Sequence, residues 1–171
     1  ISPLKRIPVL RDRSIATEGV AGTIPDSSAL CAYIERKYPE PALYGDSAYA
    51  YGRALWIEEF ADTSLAATGG LGIFRPLAFP GMQGKPPEVD KARKTWAEEM
   101  PRYYDYLEGE LDGRDWLAGE SFSIADISVA VQLMQVTLVA EVDFSSSWPR
   151  LAAHLEQCRA RGTFDAVYAK A

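Results

Sequence analysis

Residues 122–127 read Phe-Ser-Ile-Ala-Asp-Ile, and the helix they start restricts the fold more than any other stretch of the chain. With Ser123 as N-cap, Asp126 falls on the third helical position, where its carboxylate reaches back to the N–H of the cap, and Phe122 can staple onto Ile127. From there to about Ala140 the sequence is apolar on nearly every side, through Val129, Val131, Leu133, Met134, Val136 and Leu138. A helix without a polar face cannot lie on a surface. It belongs in the middle of a bundle, with at least four neighbours around it.

The neighbours can be read off the same way. Residues 47–68 place Trp56/Phe60 and Ile57/Ala61/Leu65 in two adjacent rows of one long amphipathic helix. Residues 69–87 are rich in Gly and Pro and predict a bend or loop. A second long helix spans about 88–111 through Trp96, Met100, Tyr103, Leu107 and Leu111, with Pro101 kinking or splitting it and Gly113 supplying the stop. Pro149 opens a helix with Leu151, Leu155 and Cys158 on one face; Gly162 closes it, and a short helix begins at Thr163.

Ahead of the bundle the pattern changes. Two short strands, residues 7–10 and a weaker one ending at Thr23-Ile24-Pro25, flank a loop with Gly19 and Gly22, and a helix capped by Asp26 runs to about Tyr38. Pro8 lies inside the first strand, where it removes a ladder donor, so it marks an edge, a bulge or a special turn. A structural turn is the plain reading of Ile7-Pro8. The sharper one is a cis peptide that offers a backbone N–H and C=O to an extended ligand. Asp26-Ser27-Ser28 has the same two readings, a helix cap or a receptor for a small carboxylate at the positive end of the helix dipole.

The 171 residues are 47% hydrophobic and 25% charged, which suits a soluble globular chain, and the net charge of -6 comes without the clustered Lys/Arg surface that a nucleic-acid binder needs. No apolar run has the length of a membrane span and the first residues lack a signal-peptide layout, so the expectation is no nucleic acid, no membrane and a cytoplasmic protein. Cys31 and Cys158 lie on apolar helix faces and read as buried reduced thiols. His154 is the single histidine. With no acid-base partner visible in sequence it reads as a surface or structural residue, which leaves Ser-His-Asp and Cys-His machinery without a base. No Cys/His cluster has metal-ligand spacing, and the glycine runs 69–72 and 81–84 do not follow strands, so neither is a phosphate loop.

Taken in order, Pro3-Leu4-Lys5-Arg6-Ile7-Pro8-Val9-Leu10, then Ile24-Pro25-Asp26-Ser27-Ser28-Ala29-Leu30 with Tyr33-Ile34-Glu35-Arg36-Lys37-Tyr38-Pro39, then Trp116-Leu117-Ala118-Gly119 leading to Ser123-Ile124-Ala125-Asp126, resemble the glutathione S-transferase family over essentially the whole chain. The resemblance implies an α+β, mostly α fold: the β-β-α remainder of a thioredoxin-like glutathione-binding domain in residues 1–40, a linker at 41–46 and an all-helical C-terminal bundle in 47–171. It implies a cis Pro8 that holds Ile7, whose backbone pairs with the cysteinyl part of glutathione. Asp26 and Ser27 would receive the γ-glutamyl end, and Lys5 or Arg6 the glycine carboxylate.

The implied activity is transfer of glutathione, bound as the thiolate, to an electrophilic hydrophobic small molecule, with glutathione as substrate and no metal. The implied assembly is a homodimer, in which Asp62 can touch glutathione across the interface or can simply occupy a solvated helix face. Phe74 and Phe79 line a co-substrate site or pack in the core, and Ser123 with Asp126 form the structural capping box. The family's first β-α-β-α half, with the Ser, Tyr or Cys that activates the thiol, has no counterpart among these residues. The natural protein is therefore expected to be longer, or its strand edge to be covered by a partner chain. A glutathione-transferase-like binding or interaction module that does no chemistry is the alternative.

Overall fold

Why the first strand is so short follows from where its donors go. β1 (Leu10–Arg11) pairs antiparallel with β2 (Thr23–Ile24) in the register Leu10↔Ile24 and Arg11↔Thr23, and the ladder does not extend back to Ile7. Pro8 has no N–H to give, and the Arg6 N–H donates to Ser2 Oγ at 3.1 Å instead of to a strand. At the other end Asp12 N–H reaches Gly22 O at 2.8 Å. A side chain at Gly22, whose φ is +69°, would put Cβ 2.8 Å from Asp12 O, so only glycine closes this turn.

The structure is a computed structural model that describes residues 2, 3 and 5–168, without the side chains of Asp165 and Tyr168. Ile1, Leu4 and the expected C-terminal limit at Ala171 lie outside the described residues. The chain divides into two units, Ile1–Leu43 and Tyr44–Ala171.

The first unit adds α1 (Ser27–Lys37) to the hairpin, with the Asp26 side chain accepting from Ala29 N–H at 3.0 Å and Arg36 and Lys37 placed in the last turn against the dipole. Asp12 fastens the hairpin to this helix. Its carboxylate accepts from Lys37 Nζ at 2.8 Å, from Ser14 and from the Tyr33 hydroxyl. These partners, Lys37 foremost, hold the Asp12 carboxyl well below the usual carboxylate range, and Asp12 in turn raises Lys37.

In the second unit Ser47 caps α2 (Ala48–Phe60) through Ala50 N–H at 3.1 Å. The helix does not stop at the glycines. It continues through a π-helical segment (Ala61–Phe74) into α3 (Arg75–Met82), so the bend expected over 69–87 is confined to the turn after Met82. Packing accounts for Gly72, where a Cβ would meet Thr95 at 2.5 Å, whereas a Cβ on Gly69 would make ordinary contacts with Met100 and Val136 at 3.7 Å. Gly72 lets a neighbouring element approach closely, and neither glycine breaks the helix.

The return run is α4 (Val89–Lys94), a second π-helical segment (Thr95–Glu99) and α5 (Pro101–Glu110), split at Met100 as Pro101 demands. The bundle is completed by α6 (Ile124–Thr137), α7 (Pro149–Arg159) and α8 (Thr163–Tyr168). α6 packs against α2, the first π-helical segment and α7, and within it only Thr137 is exposed. It ends three residues earlier than its sequence pattern suggests: Thr137 Oγ1 donates to Met134 O at 2.9 Å, the chain tightens through Val139 N–H to Val136 O at 3.2 Å, and Leu138 is left 57% exposed. Trp96, Tyr104, Phe144 and Trp148 form an aromatic cluster of edge-to-face and tilted pairs, and Trp148 Nε1 donates to Asp105 at 2.7 Å.

Candidate functional site

The antiparallel register decides which residues of the first unit share a place. Because Leu10 faces Ile24, the residues just before β1 and just after β2 lie at the same end of the hairpin, which puts Ile7, Pro8 and Val9 alongside Pro25, Asp26 and Ser27. The Ile7–Pro8 peptide is cis and Ile7 is 91% exposed. Lys5 (φ 53°), Arg6 and Pro8 are exposed beside it, held by a turn in which Lys5 N–H donates to Ser2 O at 3.1 Å. Asp26 and Ser27 are exposed at the start of α1. This end of the hairpin thus presents a bent backbone, two cations, a hydroxyl and a helix N-terminus, which together suit an extended peptide carrying charge at both ends.

The bundle residues are placed differently. Asp62 is exposed on the first π-helical segment. Phe74 is half-buried and stacks edge to face on Phe79 at 6.1 Å; Phe79, 42% exposed, borders an open cavity of about 690 Å³ at the turn between α3 and α4. Ser123 and Asp126 form a capping box.

Asp126 does more than cap. Fully buried, it accepts from Ser123 N–H at 2.8 Å, from Ser123 Oγ at 3.0 Å, from Leu117 N–H at 2.9 Å and from His154 Nε2 at 2.8 Å. His154, which the sequence left without a partner, is therefore a buried structural residue paired with an acid 28 positions earlier. A signal for its burial was present: His154 lies on the face that carries Leu151, Leu155 and Cys158. The identity of its partner was not readable, since nothing local links α7 to α6.

His154 Nδ1 is buried without a hydrogen-bond partner, so the ring proton belongs on Nε2, where Asp126 receives it. Cys158 Sγ approaches the same nitrogen at 3.7 Å. A relay needs its acid and its nucleophile on opposite ring nitrogens. Both groups here share Nε2, so the cluster cannot activate the thiol. Burial, followed by the charge of Asp126, pushes the Cys158 thiol up to about 12, the reverse of a reactive cysteine. At pH 8 a small thiol reagent is expected to modify half-buried Cys31 and to spare Cys158 until the protein is denatured, as read by peptide mass mapping. Modification of both at one rate would contradict this assignment. Among the described residues no group of His, Cys, Asp and Glu is arranged to hold a metal, and no helix is long and apolar enough to cross a membrane.

Residues 56–157 match the family described as Glutathione S-transferase, C-terminal domain. That is more than half of the chain, and the chain belongs to the glutathione S-transferase family. Among curated proteins it is 26% identical over 162 residues to Glutathione S-transferase 1 of Manduca sexta, covering 92% of this chain and 66% of the relative. It is also 26% identical over 153 residues to Elongation factor 1-gamma 1 of Oryza sativa subsp. japonica, covering 88% of this chain and 33% of the relative. The chain thus spans about one third of the elongation factor and two thirds of the transferase. A solved glutathione S-transferase from Rhodospirillum rubrum F11 shares the fold, with a TM-score of 0.79 and 24% identity over 92% of this chain and 68% of that one.

Proposed function

We propose that the protein binds glutathione as the thiolate and transfers it to an electrophilic hydrophobic small molecule. The observation that carries this reading is the common end of the hairpin, where the exposed cis Ile7–Pro8 and the start of α1 at Asp26 and Ser27 come together in a chain of this family. In this reading the Ile7 backbone pairs with the cysteinyl unit, Pro8 fixes that backbone, Asp26 and Ser27 receive the γ-glutamyl end, and Lys5 or Arg6 meets the glycine carboxylate. Stabilising the thiolate is the main catalytic task. We assign the hydroxyl or thiol that performs it to no residue of this sequence. Phe79, backed by Phe74, lines the co-substrate site, the assembly is a cytoplasmic homodimer, and Asp62 reaches glutathione across its interface.

Retention of the full-length protein on immobilised glutathione, followed by turnover of a generic aryl halide, tests the reading; absence of both would end it. Ser27→Ala is expected to weaken glutathione about tenfold, the worth of one hydrogen bond to a charged group, with the unfolding midpoint unchanged because Asp26 supplies the cap. Calorimetry showing unaltered affinity would remove Ser27 from the site. The second reading, a binding or interaction module without chemistry, is favoured by the relative that is named an elongation factor instead of a transferase. Retention on glutathione with no turnover of any electrophile would select it.

A further inference from the structure

Helix α1 supplies the N-terminus of the candidate site, yet none of its residues is fully buried, so packing alone does not fix its direction. At the site end it is joined to β2 through Pro25 and Asp26, a short connection about which a helix can pivot. A second point of attachment lies at the far end of the hairpin. Asp12 directly follows β1, opposite Gly22, whereas Ile7 and Pro8 precede it. One strand therefore links the Asp12 carboxylate to the exposed cis peptide.

Four donors converge on that carboxylate. The Tyr33 hydroxyl donates to Oδ2, Lys37 Nζ reaches the same oxygen at 2.8 Å, and Ser14 N–H and Oγ meet Oδ1 at 2.8 and 2.6 Å. Lys37 Nζ also donates to the Tyr33 hydroxyl at 2.9 Å, which closes a triangle of three polar groups. Ser14 thus holds one oxygen while both helix donors take the other. With 1.5 Å of rise per residue, Tyr33 and Lys37 lie about 9 and 15 Å along the helix from Ser27. A contact that far from the pivot acts as a lever on the first turn. As a source of stability a pair whose lysine is 38% exposed counts for little; what it fixes is direction. Glu35 adds a hold by accepting from Leu43 N–H at 3.1 Å, but Leu43 follows the helix and does not tie it to β1.

We propose that Asp12 is a positioning residue of the glutathione site, setting the direction of α1 so that its first turn and the Ser27 hydroxyl face the Ile7 backbone. The inference rests on the glutathione reading for its ligand, and its first test needs no ligand.

In the full-length protein Asp12→Ala is expected to speed hydrogen exchange at least tenfold at the Ala29 and Leu30 amides, which bond to Asp26 Oδ1 and Asp26 O, with the α6 amides unchanged. Glutathione affinity by calorimetry should fall about tenfold, the worth of the Ser27 hydrogen bond that the pivot loses. In a Ser27→Ala background the same substitution should cost less than twofold, because the contact through which it acts is already gone; a merely structural role would cost the same in both backgrounds. Asp12→Asn keeps one acceptor and should fall between wild type and alanine in both measurements. Glu18→Gln removes the same charge from an exposed residue of the same loop and should change neither. Unaltered exchange in Asp12→Ala overturns the proposal whether or not glutathione binds, as do equal losses in the two backgrounds or a Glu18→Gln as costly as Asp12→Asn. Faster exchange in Asp12→Ala, in a protein whose unsubstituted form does not bind glutathione, would uphold the positioning of α1 and overturn the ligand.

Discussion

Asp126→Ala is expected to lower the unfolding free energy by about 3–5 kcal/mol, the cost of stranding several buried donors that one carboxylate satisfies. The carboxylate is fully buried and serves three separate pieces of chain: the Ser123 cap of its own helix, the Leu117 N–H of the preceding loop, and His154 on α7. Deleting it strands the Leu117 and Ser123 N–H groups and the His154 ring N–H in the interior, and each stranded donor costs about 1–3 kcal/mol where the structure cannot relax. Relaxation at an exposed cap would be easy. Here the cap and the loop are both packed, with Ser123 and Leu117 buried. Since a domain has about 5–15 kcal/mol in total, the loss takes a large share of its stability.

Urea unfolding followed by tryptophan fluorescence measures the effect, Trp116 being well placed because its ring lies 6.0 Å from His154. Asp126→Asn should fall between wild type and alanine, because one oxygen still accepts while the amide N–H points at donors. The double variant Asp126→Ala/His154→Leu should lose less than the two single losses added together, since one stranded donor goes with the histidine. A loss below about 1 kcal/mol for Asp126→Ala would show that water reaches these groups and that the network is not sealed.

How far the sequence could be read depended on the range of the interactions involved. The Ser123/Asp126 cap, the central position of α6, the Asp26 cap and the break at Pro101 all rest on residues within a few positions of one another, and the structure contains each of them. Local residues also misled. The glycines after Thr68 carry the composition of a loop, yet Gly69 and Gly72 lie inside a continuous helix, because a glycine at a helix contact and a glycine in a turn look alike until the partner is known. Likewise the β-branched run 7–10 suggested four strand residues, but pairing depends on which N–H groups are available and yields two residues in each strand. Of the candidate site, the residue types and their order were readable. Their convergence was not, because it is set by the register between β1 and β2. The Asp126–His154 contact belongs to the same class, being created by packing between α6 and α7.

The glycine reading makes a prediction of opposite sign at two positions for one and the same substitution. Gly52, inside α2, is exposed, and a Cβ there would have nothing within 4 Å, so Gly52→Ala should stabilise by about 0.5–1 kcal/mol through helix propensity alone. Gly72→Ala gains a similar propensity term but places Cβ 2.5 Å from Thr95 Cγ2 and Oγ1 and 2.9 Å from Thr95 Cβ. Rotating the threonine clears only one of the first two atoms, since its Cβ carries two heavy substituents, and never the third; Thr95 is only 4% exposed, so the two π-helical segments must separate. Overpacking of this kind costs about 1–3 kcal/mol, and at these distances the upper part of that range applies, leaving a net destabilisation of about 2 kcal/mol. Adding Thr95→Ala to Gly72→Ala removes two of the three clashing atoms and should restore about half of the loss. Thermal or urea unfolding of the three variants beside the unsubstituted protein decides the matter: Gly72→Ala as stable as Gly52→Ala, or no recovery from the second substitution, would mean that the approach of these segments is not what places glycine at this position.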